Sequence, residues 1–252
     1  MVKDIFNRTE LLLGAAAMEL IRSGRVIIFG VGGVGSWCAE CLVREGIGHL
    51  TLVDSDVVCV TNCNRQLMAT TKTIGEPKVE ALRRRLLEIN PEADIIVYQK
   101  NFCKETAEDF HIEEYDYVID AIDSLKDKVE LIINALSAKG KEAECMPVLF
   151  SSMGAALRID ATKVRVSEFW EVKGDPLAAA MRQSMRKHKM FPARKFLCVH
   201  SEEQPLPNLG TALQDGSATF RKVQTNGSLA HITAIFGMTL AGLVIQDINK
   251  RV

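Results

Sequence analysis

No uninterrupted apolar run in this 252-residue chain reaches the ~20 residues that a helix needs to cross a bilayer. The longest candidate, 229–245, is broken by His231, two threonines and two glycines, and predicts a buried C-terminal helix with no membrane span. Net charge is almost absent at −1, which excludes a global attraction to nucleic acid or membrane, so any such pull must come from a local patch. Residues 1–10 carry Lys3, Asp4, Arg8 and Glu10 and lack the apolar core of a secretory signal. With seven scattered cysteines, this predicts a reduced, cytoplasmic protein with thiols rather than disulfides. A C-x-x-C pair occurs once, as Cys38 and Cys41 inside a predicted helix, and a structural zinc tetrad would need a second pair. Repeats and low-complexity tracts are missing too.

What is there begins with Gly30-Val31-Gly32-Gly33-Val34-Gly35, preceded by the apolar run Val26-Ile27-Ile28-Phe29 and followed by an amphipathic stretch over 36–45. Strand, glycine turn and helix N-terminus in that order make a phosphate cradle, because glycine admits close backbone approach and the helix start favours negative charge. By itself the cradle fits any nucleotide enzyme, nicotinamide dehydrogenases included.

A hydrophobic share of 47% and a charged share of 25% are ample for one large α/β domain. Strands are predicted at 25–29, 49–53, 94–98, 116–121 and 148–152, and helices at 10–22, 34–45, 76–89 and 125–138. Alternation of this kind implies a Rossmann-like, mostly parallel sheet with helices on both faces. After Gly154 the pattern changes. Leu157 and Ile159, then Val164 and Val166, alternate with polar residues around Asp160-Ala161-Thr162, which predicts an antiparallel hairpin. Asp175-Pro176 reads as a helix N-cap and first turn, and 190–225 as loop. The expected organisation is a single domain over 1–252, with a nucleotide-binding core at 1–153 and an antiparallel and helical extension at 154–252 on the substrate side.

The chemistry lies between the second and fourth strands. Asp54 ends the second strand, where a carboxylate can accept hydrogen bonds from a ribose, and Asp56 follows on the same face of an extended backbone. Asn62, Arg65 and Gln66 supply a fixed cation and two amides suited to clamping a polyphosphate. Lys78 falls in the first turn of the next helix, where the dipole opposes a cation and an anionic partner is expected. Asp123 lies just past the fourth strand, at the carboxyl edge of the sheet. A carboxylate facing a triphosphate needs a divalent cation between them, which makes Asp123 the Mg²⁺ candidate.

Gly30-x-Gly32-Gly33-x-Gly35, Asp54-x-Asp56, Asn62-x-x-Arg65-Gln66, Lys78 and Asp123 together resemble the ThiF/MoeB/HesA-like adenylating family, to which ubiquitin-activating enzymes belong. The resemblance implies binding of ATP and Mg²⁺, transfer of AMP to a carboxylate and release of pyrophosphate. It also implies a homodimer in which an N-terminal arginine enters the partner's site, and Arg8 stands where that arginine is expected. Gly46-Ile47-Gly48, Cys59-Val60-Thr61-Asn62, Ile119-Asp120-Ala121-Ile122-Asp123-Ser124, Asp175-Pro176-Leu177-Ala178 and Val199-His200-Ser201-Glu202-Glu203 are similar to the tRNA threonylcarbamoyladenosine dehydratase branch. The implied activity is ATP-dependent cyclisation of that modified adenosine on tRNA.

Two features bear on this branch. Between Pro176 and Ser201 there is no acidic residue, yet Arg182, Arg186, Lys187, Lys189, Arg194 and Lys195 are present, a local patch of the kind that contacts an RNA backbone. The same residues could form an ordinary solvated face. Sulfur-carrier-activating relatives often hold zinc with paired C-x-x-C motifs in the second half, where this chain has only Cys145 and Cys198. Some dehydratases carry a cysteine before the C-terminal helix; this chain reads Gln224-Thr225-Asn226-Gly227 there. His200 and His231 are expected to be structural. The alternatives are an activating enzyme for a ubiquitin-like sulfur carrier, a nicotinamide dehydrogenase, which has no use for Arg65, Lys78 and Asp123 as a set, and a non-catalytic tRNA-binding module. A sulfur-transfer or redox partner protein stays open.

Overall fold

Short segments rich in Val, Ile, Leu and Phe form the centre of the fold as strands buried on both faces, the expected fate of apolar runs in a parallel sheet. The computed structural model describes residues 5–137, 146–210 and 226–252. The strands are β1 (Arg25–Phe29), β2 (His49–Val53), β3 (Asp94–Tyr98), β4 (Tyr117–Asp120), β5 (Val148–Ser152), β6 (Val164–Glu168) and β7 (Leu197–Ser201), in the order β3-β2-β1-β4-β5-β7-β6. All neighbours pair in parallel except β6 and β7. The helices are α1 (Asn7–Ser23), α2 (Gly35–Glu45), α3 (Lys78–Ile89), α4 (Leu125–Leu136), α5 (Pro176–His188) and α6 (Ala230–Asn249). One apolar core contains Met18, Leu42, Leu82 and Phe236 from α1, α2, α3 and α6; a second contains Ile132 and Met181 from α4 and α5.

The five strands and four helices expected in the first half are present, with shifts at three helix starts. Helix α1 begins at Asn7 rather than Glu10, α2 at Gly35 rather than Val34, and α3 at Lys78 rather than Glu76; the end expected for α4 at 138 lies outside the described residues. Pro77 is drawn into a bridge with Val57, and the Lys78 amide donates to the Asp56 carbonyl, so the start of α3 is tied to the loop after β2.

The hairpin expected over 157–166 does not form. Leu157 takes a positive φ of 61°, which no strand tolerates, and the Asp160 carboxylate caps a short 3₁₀ turn through the Thr162 amide. Val164 and Val166 do lie in a strand, but it pairs with β7, inside the segment expected to be loop. Cys198 and Val199, buried at the centre of β7, were the apolar signal for that strand. The Asp175 cap holds: its carboxylate accepts from the Ala178 amide, with Pro176 in the first turn. Helix α6 is 20 residues long and apolar enough to match a membrane span by length and composition, longer than the stretch read from sequence. Its face of Ile232, Phe236, Leu240 and Val244 is fully buried, however, within the core shared with α2. Cys38 is buried and Cys41 half-buried; all six described cysteines are free. Cys145, Gln224 and Thr225 lie outside the described residues.

Candidate active site

The site is built where four strands end. Gly30 follows β1 with φ +86°, and a side chain there would sit 2.7 Å from the Ala121 carbonyl in the loop after β4. Gly35, the first residue of α2, would drive a Cβ into the Gly30 carbonyl. The turn is therefore folded onto itself and onto the β4 loop, and glycine is required at both positions. The Ser36 hydroxyl donates to the Gly32 carbonyl at 2.6 Å and accepts from the Leu67 amide at 3.2 Å. One buried serine thus joins the glycine turn to the segment that carries Arg65 and Gln66.

Asp54 does two things from the end of β2. Its Oδ2 accepts the Val31 amide at 2.9 Å, inside the glycine turn, and its Oδ1 accepts the Asp56 amide at 2.9 Å. Burial pushes its carboxyl above the usual range, with the Lys78 ammonium acting in the opposite direction. The Lys78 side chain is only 7% exposed, and its Nζ lies 2.7 Å from Asp56 Oδ2 and 3.9 Å from Asp54 Oδ1. The anionic partner expected for Lys78 is thus found within the protein. Asp56 is 57% exposed on its side chain, so this partner faces solvent.

Arg65 is anchored by donating from Nη1 to the Thr61 carbonyl at 3.0 Å and to Asn64 Oδ1 at 2.9 Å. Burial lowers its pKa, while the charge of Asp123 pulls it back up, so these two residues from different loops share one field. The Trp37 indole donates to the Arg65 carbonyl at 3.1 Å, fixing the backbone as well. Asn62 turns inward instead: its Oδ1 accepts the Cys59 amide at 3.0 Å and shapes the loop. Gln66 is buried, and its Oε1 has no hydrogen-bond partner among the described residues. Its Nε2 lies 3.7 Å from where a Gly32 side chain would begin, so the donor end of this amide stands beside the cradle.

Sequence reasoning missed what holds the Asp123 loop. Asp120, at the end of β4, and Lys128, on α4, are both fully buried and lie 2.8 Å apart. Ser151 Oγ donates to Asp120 Oδ2 at 2.6 Å, the Ile122 amide donates to Oδ1 at 3.2 Å, and Lys128 Nζ donates to the Ile122 carbonyl at 3.0 Å. A carboxylate closing a buried apolar strand must have a partner, and that was the available signal. Thr233, at the start of α6, sits against Gly33 and was equally invisible.

Arg8 is not brought to this chain's own cradle. It is exposed on α1, and nearby Phe6 packs against Gly46, beyond the far end of α2. The glycine turn is at the other end of that 11-residue helix, about 16 Å away at ~1.5 Å per residue. The basic residues are also remote. Helix α5 starts beside Gly154, whose amide donates to Asp175 at 3.1 Å, and runs back toward the opposite end of the sheet. Arg186, Lys187, Lys189 and Lys195 are exposed there. Arg182 and Arg194 are partly committed, donating to the Phe169 and Pro147 carbonyls at 2.9 and 3.0 Å. His200 pairs with Ser167 Oγ across β6 and β7 at 2.9 Å, and burial holds its pKa below the ordinary value. His231 Nε2 lies 3.0 Å from the Ile159 carbonyl. Both histidines tie segments together.

The arrangement has room for a nucleotide's ribose at Asp54 and its phosphates between the glycine turn, Arg65 and Lys78, with Asp123 close enough to act on the Arg65 charge. A ThiF family model matches residues 6–251. The tRNA threonylcarbamoyladenosine dehydratase of Bacillus subtilis is 34% identical over 249 residues, covering 97% of this chain and 94% of that protein. The molybdopterin-synthase adenylyltransferase of Escherichia coli is 32% identical over a shorter stretch, 78% of this chain and 72% of its own length. A crystal structure of the E. coli tRNA N6-threonylcarbamoyladenosine dehydratase in complex with ATP matches with a TM-score of 0.83 at 31% identity, covering 99% of this chain and 95% of that one.

Proposed function

This chain belongs to the ThiF family, and from that premise we propose that it is an ATP-dependent tRNA-modifying dehydratase acting on threonylcarbamoyladenosine. The observation that carries the reading is the joint one of cradle and length: an adenylation-type phosphate site in a chain that matches a dehydratase over 97% of its residues. A carboxylate is a poor electrophile. In the first step its oxygen bonds to the α-phosphorus of ATP while the bond to the β-phosphate breaks, and pyrophosphate leaves. In the second, a nucleophile of the same modified base bonds to the acyl carbon, AMP leaves with the carboxylate oxygen, and a proton is released. The net change is loss of water at the expense of ATP.

Each part of the site has a place in this scheme. Gly30, Gly32, Gly33 and Gly35 form the floor for the phosphates, Asp54 accepts from the ribose, and the Gln66 amide nitrogen and the Asn62 loop close the wall. Lys78 exchanges Asp56 for phosphate, and the preordered Arg65 meets charge that grows in the transition state. Asp123 would hold Mg²⁺, which would supply charge neutralisation at the phosphates. Arg8 comes from the partner of a homodimer, because in its own subunit it lies at the wrong end of α2. The basic residues Arg182, Arg186, Lys187, Lys189, Arg194 and Lys195 take the RNA backbone. Residues 1–252 act as one cytoplasmic adenylation domain, with 154–252 facing the substrate.

The test is pyrophosphate release with purified components. Release stimulated by tRNA bearing threonylcarbamoyladenosine, and not by tRNA lacking it, is expected. Release triggered by a ubiquitin-like sulfur-carrier protein and not by modified tRNA would replace this reading with the carrier-activating one.

A further inference from the structure

An aromatic series runs from the core to the surface at the end of the sheet opposite the glycine turn. Phe196 and Phe169 are buried and stacked at 4.9 Å, Phe169 meets Trp170 edge-on at 5.2 Å, and Trp170 lies 6.2 Å from Phe191 at a 35° tilt. Trp170 is 36% exposed and Phe191 53%. The Arg186 guanidinium sits 5.7 Å over the Trp170 ring. Exposed Lys187, Lys189 and Lys195 flank Phe191 in the chain, while Glu168 and Glu171 are the acidic groups beside Trp170. Glu168 is already used, accepting the Trp170 amide at 2.9 Å.

Neither half of this cluster has an explanation in the nucleotide site. A pair of large rings left open at a surface costs free energy unless something covers it. Cations alone would suit any polyanion, but rings interleaved with cations match a strand whose backbone is anionic and whose bases have flat faces. Charge complementarity therefore favours RNA over an apolar protein segment. We infer that Trp170 and Phe191, with Arg186 stacked over the Trp170 ring, form a platform for an unpaired base of the RNA substrate. Arg186, Lys187, Lys189 and Lys195 hold the neighbouring phosphates. The inference rests on the RNA reading above and extends it. Helix α5, 13 residues and about 20 Å long at ~1.5 Å per residue, separates the platform from the catalytic end. A stem-loop thus touches the protein at two points, one where the modified base reacts and one where another loop base stacks.

The experiment compares wild type, Trp170→Phe, Trp170→Ala and the double variant Trp170→Ala/Phe191→Ala for binding to an unmodified RNA stem-loop without ATP. The double variant is expected to bind about ten-fold or more weakly, with Trp170→Phe close to wild type because a ring is retained. RNA should also quench tryptophan fluorescence in the wild type and much less in Trp170→Phe. ATP affinity, measured alongside, should be the same in all four, which verifies that the fold is intact. Unchanged RNA affinity in the double variant overturns the platform and leaves the rings to a protein partner or a second copy of the chain. If the wild type itself shows no RNA binding, and pyrophosphate release ignores modified tRNA, the functional reading fails instead, and the two failures are told apart.

Discussion

Lys78 and Lys128 make a natural experiment within one fold. Each stands in the first turn of a helix that follows a parallel strand, and each contacts an aspartate at or just beyond the strand's end. Lys128 and Asp120 have no exposed side-chain surface, and serine, backbone amide and carbonyl complete their hydrogen bonds. The Lys78 ammonium reaches Asp56, more than half of whose side chain is in water. The same kind of ion pair is closed off from water at Lys128 and open to it through Asp56 at Lys78; on the proposed function, it is the open one that exchanges its partner for a ligand.

The comparison can be broken most directly at Lys128. Lys128→Ala leaves Asp120 charged and unpaired in the core, and should cost about 3–5 kcal/mol of stability, read by denaturant unfolding. Adenylation should fall with stability, because Lys128 also holds the Ile122 carbonyl next to Asp123. Lys78→Ala and Arg65→Ala should do the reverse, lowering ATP–pyrophosphate exchange about 100- to 1000-fold while the unfolding midpoint moves little. A Lys78 variant that unfolds instead of losing activity would end the distinction.

Asp54 sharpens the same comparison through pH. Its folded carboxyl pKa is raised by burial, so the charged form is disfavoured relative to the unfolded chain. Stability from this group is fully present below the unfolded aspartate value, and is lost as pH rises through the folded one. Asp54→Asn should therefore be relatively more stable at pH 7 than at pH 4 when each is compared with wild type, and should weaken ATP binding. Thermal melts at the two values check the sign. The smallest effect is expected at the distal patch. Lys187→Ala should weaken RNA binding alike for all sequences and reduce the salt slope by about 0.7–0.9 for each phosphate that the lysine neutralises.

How much of this was legible depended on separation along the chain. The glycine turn, the position of Asp54 and the cap at Asp175 are decided by residues within a few positions of each other, and periodicity or cap chemistry reveals them. The α3 start slipped by two residues because a contact from the β2 loop set it. The failed hairpin is the larger lesson. Val164 and Val166 carried the right strand pattern, but local alternation says nothing about the partner, and β7 lies more than thirty residues away in the chain. Gln66 could be named as a candidate, but the chain could not show that its amide nitrogen would come to lie beside Gly32.

The sequence alone determined the alternation of strands and helices, the phosphate-binding turn and the residue types of an adenylation site, because these follow from backbone preference, side-chain period and charge. Only the tertiary structure decided which of two buried lysines has an enclosed partner and which a solvent-facing one, that Arg8 lies away from its own cradle, and that the basic helix end is joined to exposed aromatic rings. Burial and proximity arise when distant segments pack together, and no window of the chain contains that information.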